Sequence, residues 1–556
     1  MTEPTPGPRS AADRSRDPRD AGAAGPPPAR EGGDVLTPGP SLPAREKGAA
    51  GTERERGAAG TERPAALSVG DVLAATGAAP VPMPEGVDVS LLARAPFNSV
   101  VIDARRAGPG DLFVALPGTR THGADHVGDA YARGALAALT PRPPALTHEQ
   151  QAARGADRPF LSLVVPDPLR ALQLIAAAWR DRHPDAHVVG VTGSVGKTTT
   201  REAIAAVLAT ALPVLASERS YNNEIGLPLT LLRLEPWHRA AVLEMGTYAR
   251  GEIAALARLA RPRIAVVTMV APVHLERLGT IEAIARAKAE LVEALPPDGV
   301  AVLNGDDPFV RAMAARTTAR AVTYGLGADN DWQARDVVDR GLEGLDVTVV
   351  HRGGGERGEW SARVTTGIVG RHFLYALLAA AAVADVFGVP RDRIAAALGR
   401  VRIGERQRLL DGPDDRLIID DAWNASLPSM LAALDVLASV PRRRVAVLGE
   451  MLELGAESEA AHRTVGRRVR AVADALVAVG TGGATIADEA RRAGMPAGAV
   501  AVVAATAEVD AALAPLLRSG DVVLVKGSRA LRLEDVVEGL RGAGHVDGAG
   551  VGTERV

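Results

Sequence analysis

The chain reads as an α/β protein: a small first α/β domain, a central parallel-sheet domain built around a phosphate loop, a doubly wound third domain, and a disordered N-terminal tail. Three observations predict this. Composition changes near residue 64; an apolar run, a glycine-rich turn and a helical spacing follow one another over 188–208; and apolar β-branched runs alternate with helix-period segments from there to about 541. At 556 residues the chain is too long for one core, and three domains of about 150 residues is the natural division.

Residues 1–64 are Pro, Gly, Ala and mixed charge, and Gly48-Ala-Ala-Gly-Thr-Glu-Arg54 recurs as Gly57-Ala-Ala-Gly-Thr-Glu-Arg63. Such a segment buries too little apolar surface to offset its chain entropy, which predicts disorder. The glycine-rich 542–556, closing on Gly552-Thr-Glu-Arg555, reads the same way. A net charge of −3 offers no electrostatic footprint for nucleic acid. The absence of cysteine excludes disulfides and thiolate sites and suits a reducing compartment. No apolar run reaches membrane-spanning length and no signal-peptide core opens the chain, so the expectation is a cytoplasmic protein without membrane insertion.

In the first domain, 65–183, residues 66–75 read as a short helix that Ser68 caps. Ser99-Val-Val-Ile-Asp-Ala-Arg105 and Gly110-Asp-Leu-Phe-Val-Ala-Leu-Pro-Gly118 read as strands separated by a turn, and 125–133 as a helix ending at Gly134. A strand at 161–165 and a helix at 168–182 lead to a boundary near 184.

The central domain, 184–400, opens on Val188-Val-Gly-Val-Thr-Gly-Ser-Val-Gly-Lys-Thr-Thr-Thr200. The order is strand, phosphate loop, helix. Gly193 and Gly196 let the backbone of Ser194, Val195 and their neighbours approach phosphate oxygens, and the new helix adds its positive end. Lys197 is expected at the β/γ-phosphates and Thr198 on Mg²⁺, with Thr199 completing the loop. The first glycine comes one place early: Gly190 is six residues before Gly196, and position 191 is Val. Glu244 ends the apolar run 240–246 and His274 follows the run 263–268, and strand ends of an open α/β sheet are where ligands sit. Glu244 therefore reads as a Mg²⁺ ligand, directly or through water. Lys288 lies on a helix at 281–295 and by itself reads as a surface lysine.

In the third domain, 401–541, five apolar runs at 417–421, 444–449, 475–480, 500–503 and 521–526 predict a dinucleotide-fold sheet. Asp420, Asp421, Asn424, Glu450, Lys526, Ser528 and Arg529 cluster just past strand ends.

These residues together resemble the Mur ligases, the ATP-dependent amide-forming enzymes of peptidoglycan precursor synthesis, over about 66–541. The resemblance rests on the phosphate loop, Glu244, the spacing of His274 and Lys288, Asn222-Asn-Glu-Ile-Gly-Leu-Pro-Leu-Thr-Leu-Leu232, Leu448-Gly-Glu-Met-Leu-Glu-Leu-Gly455 and Val525-Lys-Gly-Ser-Arg529. It implies a first domain for a UDP-sugar, with Asp103 and Arg105 on the substrate, and a second for ATP and two Mg²⁺. The third would present the acceptor and close over the nucleotide. It implies that Lys288 is carbamylated and supports a second Mg²⁺ together with His274. Arg406 matches an arginine near the phosphates, Asp421 an aspartate near the ribose, Asn222 and Asn223 a loop meeting the growing peptide, and Asn424, Lys526 and Arg529 the acceptor side. Lys197, Lys288, His274 and Arg406 are thus the expected catalytic set. The implied substrates are UDP-N-acetylmuramoyl-tripeptide and D-Ala-D-Ala, joined through an acyl phosphate by a monomer.

The chain departs from the family pattern at several places. Ala376, in the segment that Gly370-Arg-His372 opens, stands where the family has an Asn near adenine. Ala422-Trp-Asn-Ala-Ser-Leu-Pro428 replaces a pattern near Ser-Tyr-Asn-Ala-Asn-Pro-Asp, Glu405 replaces a common glycine, and Ala104 replaces a hydroxyl residue. The altered 422–428 segment keeps open a related ligase with another amino-acid acceptor. A non-catalytic nucleotide-sugar-binding paralogue is the other alternative, against which the five groups Lys197, Thr198, Glu244, His274 and Lys288 speak.

Overall fold

The computed structural model describes residues 67–83, 88–118, 121–154, 159–218, 220–273, 275–353, 358–404 and 407–542. The tail expected at 1–64, all but Gly542 of 542–556, His274, Glu405 and Arg406 lie outside the described residues.

Three sheets form among the described residues. The first has the order β1-β5-β4-β3-β2, from β1 (Ala79–Met83), β2 (Val100–Val101), β3 (Leu112–Val114), β4 (Ala137–Thr140) and β5 (Phe160–Val164). β1 was illegible because its Ala-Pro-Val-Pro-Met carries two residues without an N–H. As the edge strand, antiparallel to β5, it tolerates them. The strand expected at 99–105 shortens to β2, because the Asp103 carboxylate turns the chain into a 3₁₀ segment (Ala104–Arg106) by accepting from Arg105 N at 3.0 Å. The helix Val69–Thr76 forms where expected, with a Ser68/Asp71 capping box.

The second sheet has nine strands, ordered β14-β13-β12-β11-β10-β9-β6-β8-β7. They are β6 (His187–Thr192), β7 (Val214–Ala216), β8 (Ala240–Glu244), β9 (Ile264–Val267), β10 (Val300–Asn304), β11 (Arg320–Gly325), β12 (Trp332–Asp339), β13 (Leu345–His351) and β14 (Trp360–Thr366). From β7 to β12 the pairing is parallel; β13 and β14 extend it antiparallel. Alternate residues of β6 face opposite layers. Val188 packs with Leu243, Ile284 and Leu291, whereas Val189 and Val191 pack with Ile204, Val242 and the helix Leu374–Val386. Each such fully buried side chain contributes roughly 1.5–3 kcal/mol relative to exposure, and both layers hold β6 and the turn that follows it.

The third sheet has the order β15-β16-β20-β17-β18-β19, from β15 (Arg408–Gly412), β16 (Arg416–Asp421), β17 (Arg444–Gly449), β18 (Ala475–Val479), β19 (Val500–Val503) and β20 (Val522–Lys526). Five strands run parallel, as the sequence indicates; β15 adds an antiparallel edge that it does not. Asp421 and Lys526, the last residues of adjacent strands, stand directly opposite each other in register.

Candidate active site

The polar strand ends of the second and third sheets meet in one cavity of about 1740 Å³, which the phosphate loop, Glu244, Lys288, Asp421, Lys526 and Arg529 all line. The loop leaves β6 and enters the helix Lys197–Ala209 with Gly193 at φ +148° and Gly196 at φ +86°. A side chain at 193 would run into the Thr268 hydroxyl and the backbone that follows it. Gly193→Ala therefore combines steric conflict with backbone strain. We expect a loss of about 2–4 kcal/mol in urea denaturation, together with loss of ATP binding. The early glycine has a different task. A Cβ on Gly190 would lie 2.9 Å from the Leu291 side chain, so Gly190 admits the helix carrying Lys288 against β6. Val191 is free to be buried strand.

The loop is fixed to its neighbours by hydrogen bonds. Ser194 N donates to the Met269 carbonyl at 2.7 Å, and its hydroxyl both donates to the Ala271 carbonyl and accepts from Ala271 N. Thr268 Oγ1 donates to the Val195 carbonyl at 2.6 Å, and Asn304 Nδ2 to the Thr268 carbonyl at 2.7 Å. Ser194 thus braces the loop through its side chain. Sequence reasoning missed Thr268 and Asn304. The rule that found Glu244 would have found them, since Thr268 directly follows β9 and Asn304 ends β10.

Lys197 Nζ donates to the Gly193 and Ser194 carbonyls at 3.0 and 3.3 Å, which curls it over the turn. Thr198 Oγ1 donates to Glu244 Oε2 at 2.9 Å, and Asn222 Nδ2 donates to Glu244 Oε1 at 2.8 Å. With its proton directed to the carboxylate, the Thr198 hydroxyl keeps its lone pairs for a cation. This all-oxygen pair, beside a loop shaped for phosphates, fits Mg²⁺, which takes one or two protein ligands and completes its shell with phosphate and water. Among the described residues no three His, Cys, Asp or Glu side chains group to hold a metal by themselves. Asn222, expected on the peptide, has its amide on Glu244. Asn223 accepts from Gly226 N at 2.9 Å, in the turn that leads into the helix Gly226–Leu231, although both line the cavity.

Lys288 is not the surface residue that its helix alone suggests. It is 3% exposed, and burial, reinforced by the Lys197 charge, lowers its pKa to about 7. It makes no hydrogen bond or ion pair with any described residue.

On the facing sheet, Lys526 Nζ donates to Asp421 Oδ2 at 2.7 Å and to the Asn424 carbonyl at 2.8 Å. The lysine expected on the acceptor and the aspartate expected on the ribose are therefore each other's partners here, both buried. Arg529 lies over the Trp423 ring, 4.2 Å from its centroid. His372 also lines the cavity, and burial with the nearby Lys526 charge holds it at a pKa of about 4, hence neutral. Ala376 lines it as well, without a polar group. His462 is structural: Met451 N donates to its Nε2 at 2.9 Å, and its Nδ1 donates to the Ser458 carbonyl at 2.6 Å. Asp103 and Arg105 stay outside this cavity, at the 3₁₀ segment that follows β2, and pair with each other at 2.7 Å.

Three family models match the chain: the Mur ligase family catalytic domain over 96–180, the Mur ligase middle domain over 191–384 and the Mur ligase glutamate ligase domain over 405–529. The UDP-N-acetylmuramoyl-tripeptide–D-alanyl-D-alanine ligase of Mycobacterium tuberculosis strain H37Rv is 39% identical over 483 residues, covering 80% of this chain and 92% of that relative. The chain belongs to the Mur ligase family. A relative of the same name from Escherichia coli K12 is 34% identical over 462 residues, covering 82% of this Mur ligase and 95% of its own length. Among solved structures, MurF from Acinetobacter baumannii superposes with a TM-score of 0.72 at 27% identity, covering 86% of this chain and 99% of the other. MurF ligase from Thermotoga maritima in complex with ADP gives 0.67 at 27% identity, with 80% and 97% covered. Like its relatives, this Mur ligase is an ATP-dependent ligase of peptidoglycan synthesis. No helix among the described residues is long and apolar enough to cross a membrane.

Proposed function

We propose that this Mur ligase joins D-Ala-D-Ala to UDP-N-acetylmuramoyl-tripeptide in the cytoplasm through an acyl phosphate, releasing ADP and phosphate. The observation that carries this reading is the meeting of Lys197, Thr198, Glu244 and Lys288 with the polar edge of the third sheet in one cavity. The named activity of relatives that cover most of the chain supports it. The first sheet and its helices, 65–183, would hold the UDP-sugar, with Asp103 and Arg105 on it; 184–400 would hold ATP; 401–541 would present the dipeptide.

Phosphoryl transfer needs two anions to meet. The tripeptide carboxylate attacks the γ-phosphorus while its bond to the bridging oxygen breaks and ADP leaves. Lys197, curled over the loop, neutralises charge on the β/γ-oxygens, and the loop N–H groups and helix N-terminus hold the phosphates in line. Thr198 and Glu244 would hold Mg²⁺, which supplies Lewis-acid neutralisation of the same oxygens. Lys288, its pKa lowered to about 7 by burial and the Lys197 charge, is about half free amine at neutrality. Such an amine adds to the carbon of CO₂, loses a proton and becomes a carbamate. That reaction turns a buried neutral amine into an anion in the cavity that Thr198 and Glu244 also line. The dipeptide amine then attacks the acyl carbon and phosphate departs.

ADP release tests this reading. It should require UDP-muramoyl-tripeptide and D-Ala-D-Ala together, with either alone giving background. Equal release on omitting the dipeptide would contradict it.

A further inference from the structure

We propose that this ligase takes a tripeptide whose third residue is a diamino dicarboxylic acid, such as diaminopimelate, in preference to one ending in lysine. Arg277, lying over the Tyr248 ring, receives the side-chain carboxylate that distinguishes the two. This rests on the ligase reading above and concerns the donor peptide.

Toward the first sheet the cavity runs beside the helices Pro168–Asp181 and Glu252–Ala260, which pack together. Three exposed arginines line it there: Arg170 on the first helix, Arg258 on the second and Arg277 on the short helix Leu275–Leu278. Among the described residues none of the three side chains makes a hydrogen bond or an ion pair. Two carboxylates share these surroundings. Glu224 lies on the loop whose carbonyl accepts from Gln173 of the first helix at 3.3 Å. Glu252 is engaged by its own turn, its Oε2 accepting from Tyr248 N at 2.7 Å and from the Thr247 hydroxyl at 3.2 Å. This part of the cavity therefore has positive charge to spare for an anionic ligand.

Arg277 is the one of the three that lies closest to the chemistry in the topology. The strands β9, β6 and β8 are neighbours in that order, and the phosphate loop leaves the middle one. Tyr248 follows the end of β8 and Arg277 follows the end of β9, with the guanidinium 4.9 Å from the ring centroid. The pair thus joins the segments that leave the two strands flanking the phosphate loop, at the edge where open α/β sheets bind ligands. The third residue supplies the carboxylate that attacks the γ-phosphate, so its side chain starts beside that loop. A lysyl side chain would bring an ammonium toward the guanidinium and be repelled. A diaminopimelyl side chain ends in a carboxylate as well as an amine. Its carboxylate accepts from two N–H groups of a planar fork that stacking already holds. Arg170 and Arg258, on helix faces, are left for anions of the donor that both tripeptides share.

The test compares UDP-muramoyl-tripeptides ending in diaminopimelate and in lysine, with the full-length enzyme, ATP and D-Ala-D-Ala. The wild type should favour the diaminopimelyl donor in kcat/KM by at least about 30-fold, the lower end of what losing one partner of a hydrogen-bonded charge pair costs. Arg277→Ala should lower kcat/KM for that donor about as much, through its KM, and should treat the two donors alike. Its KM values for ATP and D-Ala-D-Ala should not move. Arg170→Ala and Arg258→Ala should keep the preference. The proposal is overturned if the wild type uses both donors equally well or prefers lysine, or if Arg277→Ala still discriminates as the wild type does. Product from neither donor would sink the ligase reading itself and the proposal with it. Arg277 is exposed, and the comparison of donors on the wild type needs no variant.

Discussion

Lys197→Ala lowers kcat/KM by about 10³-fold or more while the fold persists, the scale on which a single cation at the transferred phosphoryl group acts. The side chain contributes little to the core. Its ammonium touches two loop carbonyls, at Gly193 and Ser194, and the loop's shape is set instead by Gly193, Thr268 and the Ser194–Ala271 pair. Removing Lys197 thus leaves the phosphate cradle in place and removes the charge that lets a carboxylate approach a triphosphate. The loss should be in kcat as well as KM, because charge on the γ-oxygens redistributes during transfer. Steady-state kinetics with a thermal melt alongside check this. A variant that melts as the wild type does and retains more than about a tenth of its activity would place the charge elsewhere.

Lys288→Met produces the second large effect, with opposite signs on activity and stability. Turnover should fall to near background, since neither a carbamate nor an amine remains. Stability should rise. The folded pKa is about 7 against 10.5 for an ordinary lysine. Between those values the unfolded chain holds a proton that the folded one lacks, so stability increases with pH across that window. Below about 7 both forms are protonated, and the full cost of a buried ammonium is borne. The methionine variant loses this slope. In CO₂-free buffer it should gain about 2–4 °C in melting temperature for each kcal/mol relieved, most clearly on the acid side of 7. Bicarbonate should raise wild-type activity increasingly as pH climbs through 7, where the amine becomes neutral, and should not affect the variant.

The sequence made the site's chemistry legible wherever local order carries it. Strand, glycine turn and helix place Lys197 and Thr198 without any long-range knowledge, and the strand-end rule placed Glu244. What it could not carry were pairings set by tertiary register. Lys526 and Asp421 are 105 residues apart and meet because β16 and β20 are neighbours. Their separate roles therefore read as open when each is engaged by the other. Lys288 looked like a surface residue because helical spacing does not say that Gly190 lets its helix press against β6. Antiparallel additions were missed for a related reason. β1 carries two prolines, and β15 has a polar, half-exposed pattern, so both take their form from the strand they join.

The central claim is that the tripeptide carboxylate itself accepts phosphate. With that carboxylate labelled in heavy oxygen, and D-Ala-D-Ala and ATP supplied, product should form with one labelled oxygen carried into the released inorganic phosphate. Product formation with the phosphate unlabelled would contradict the account.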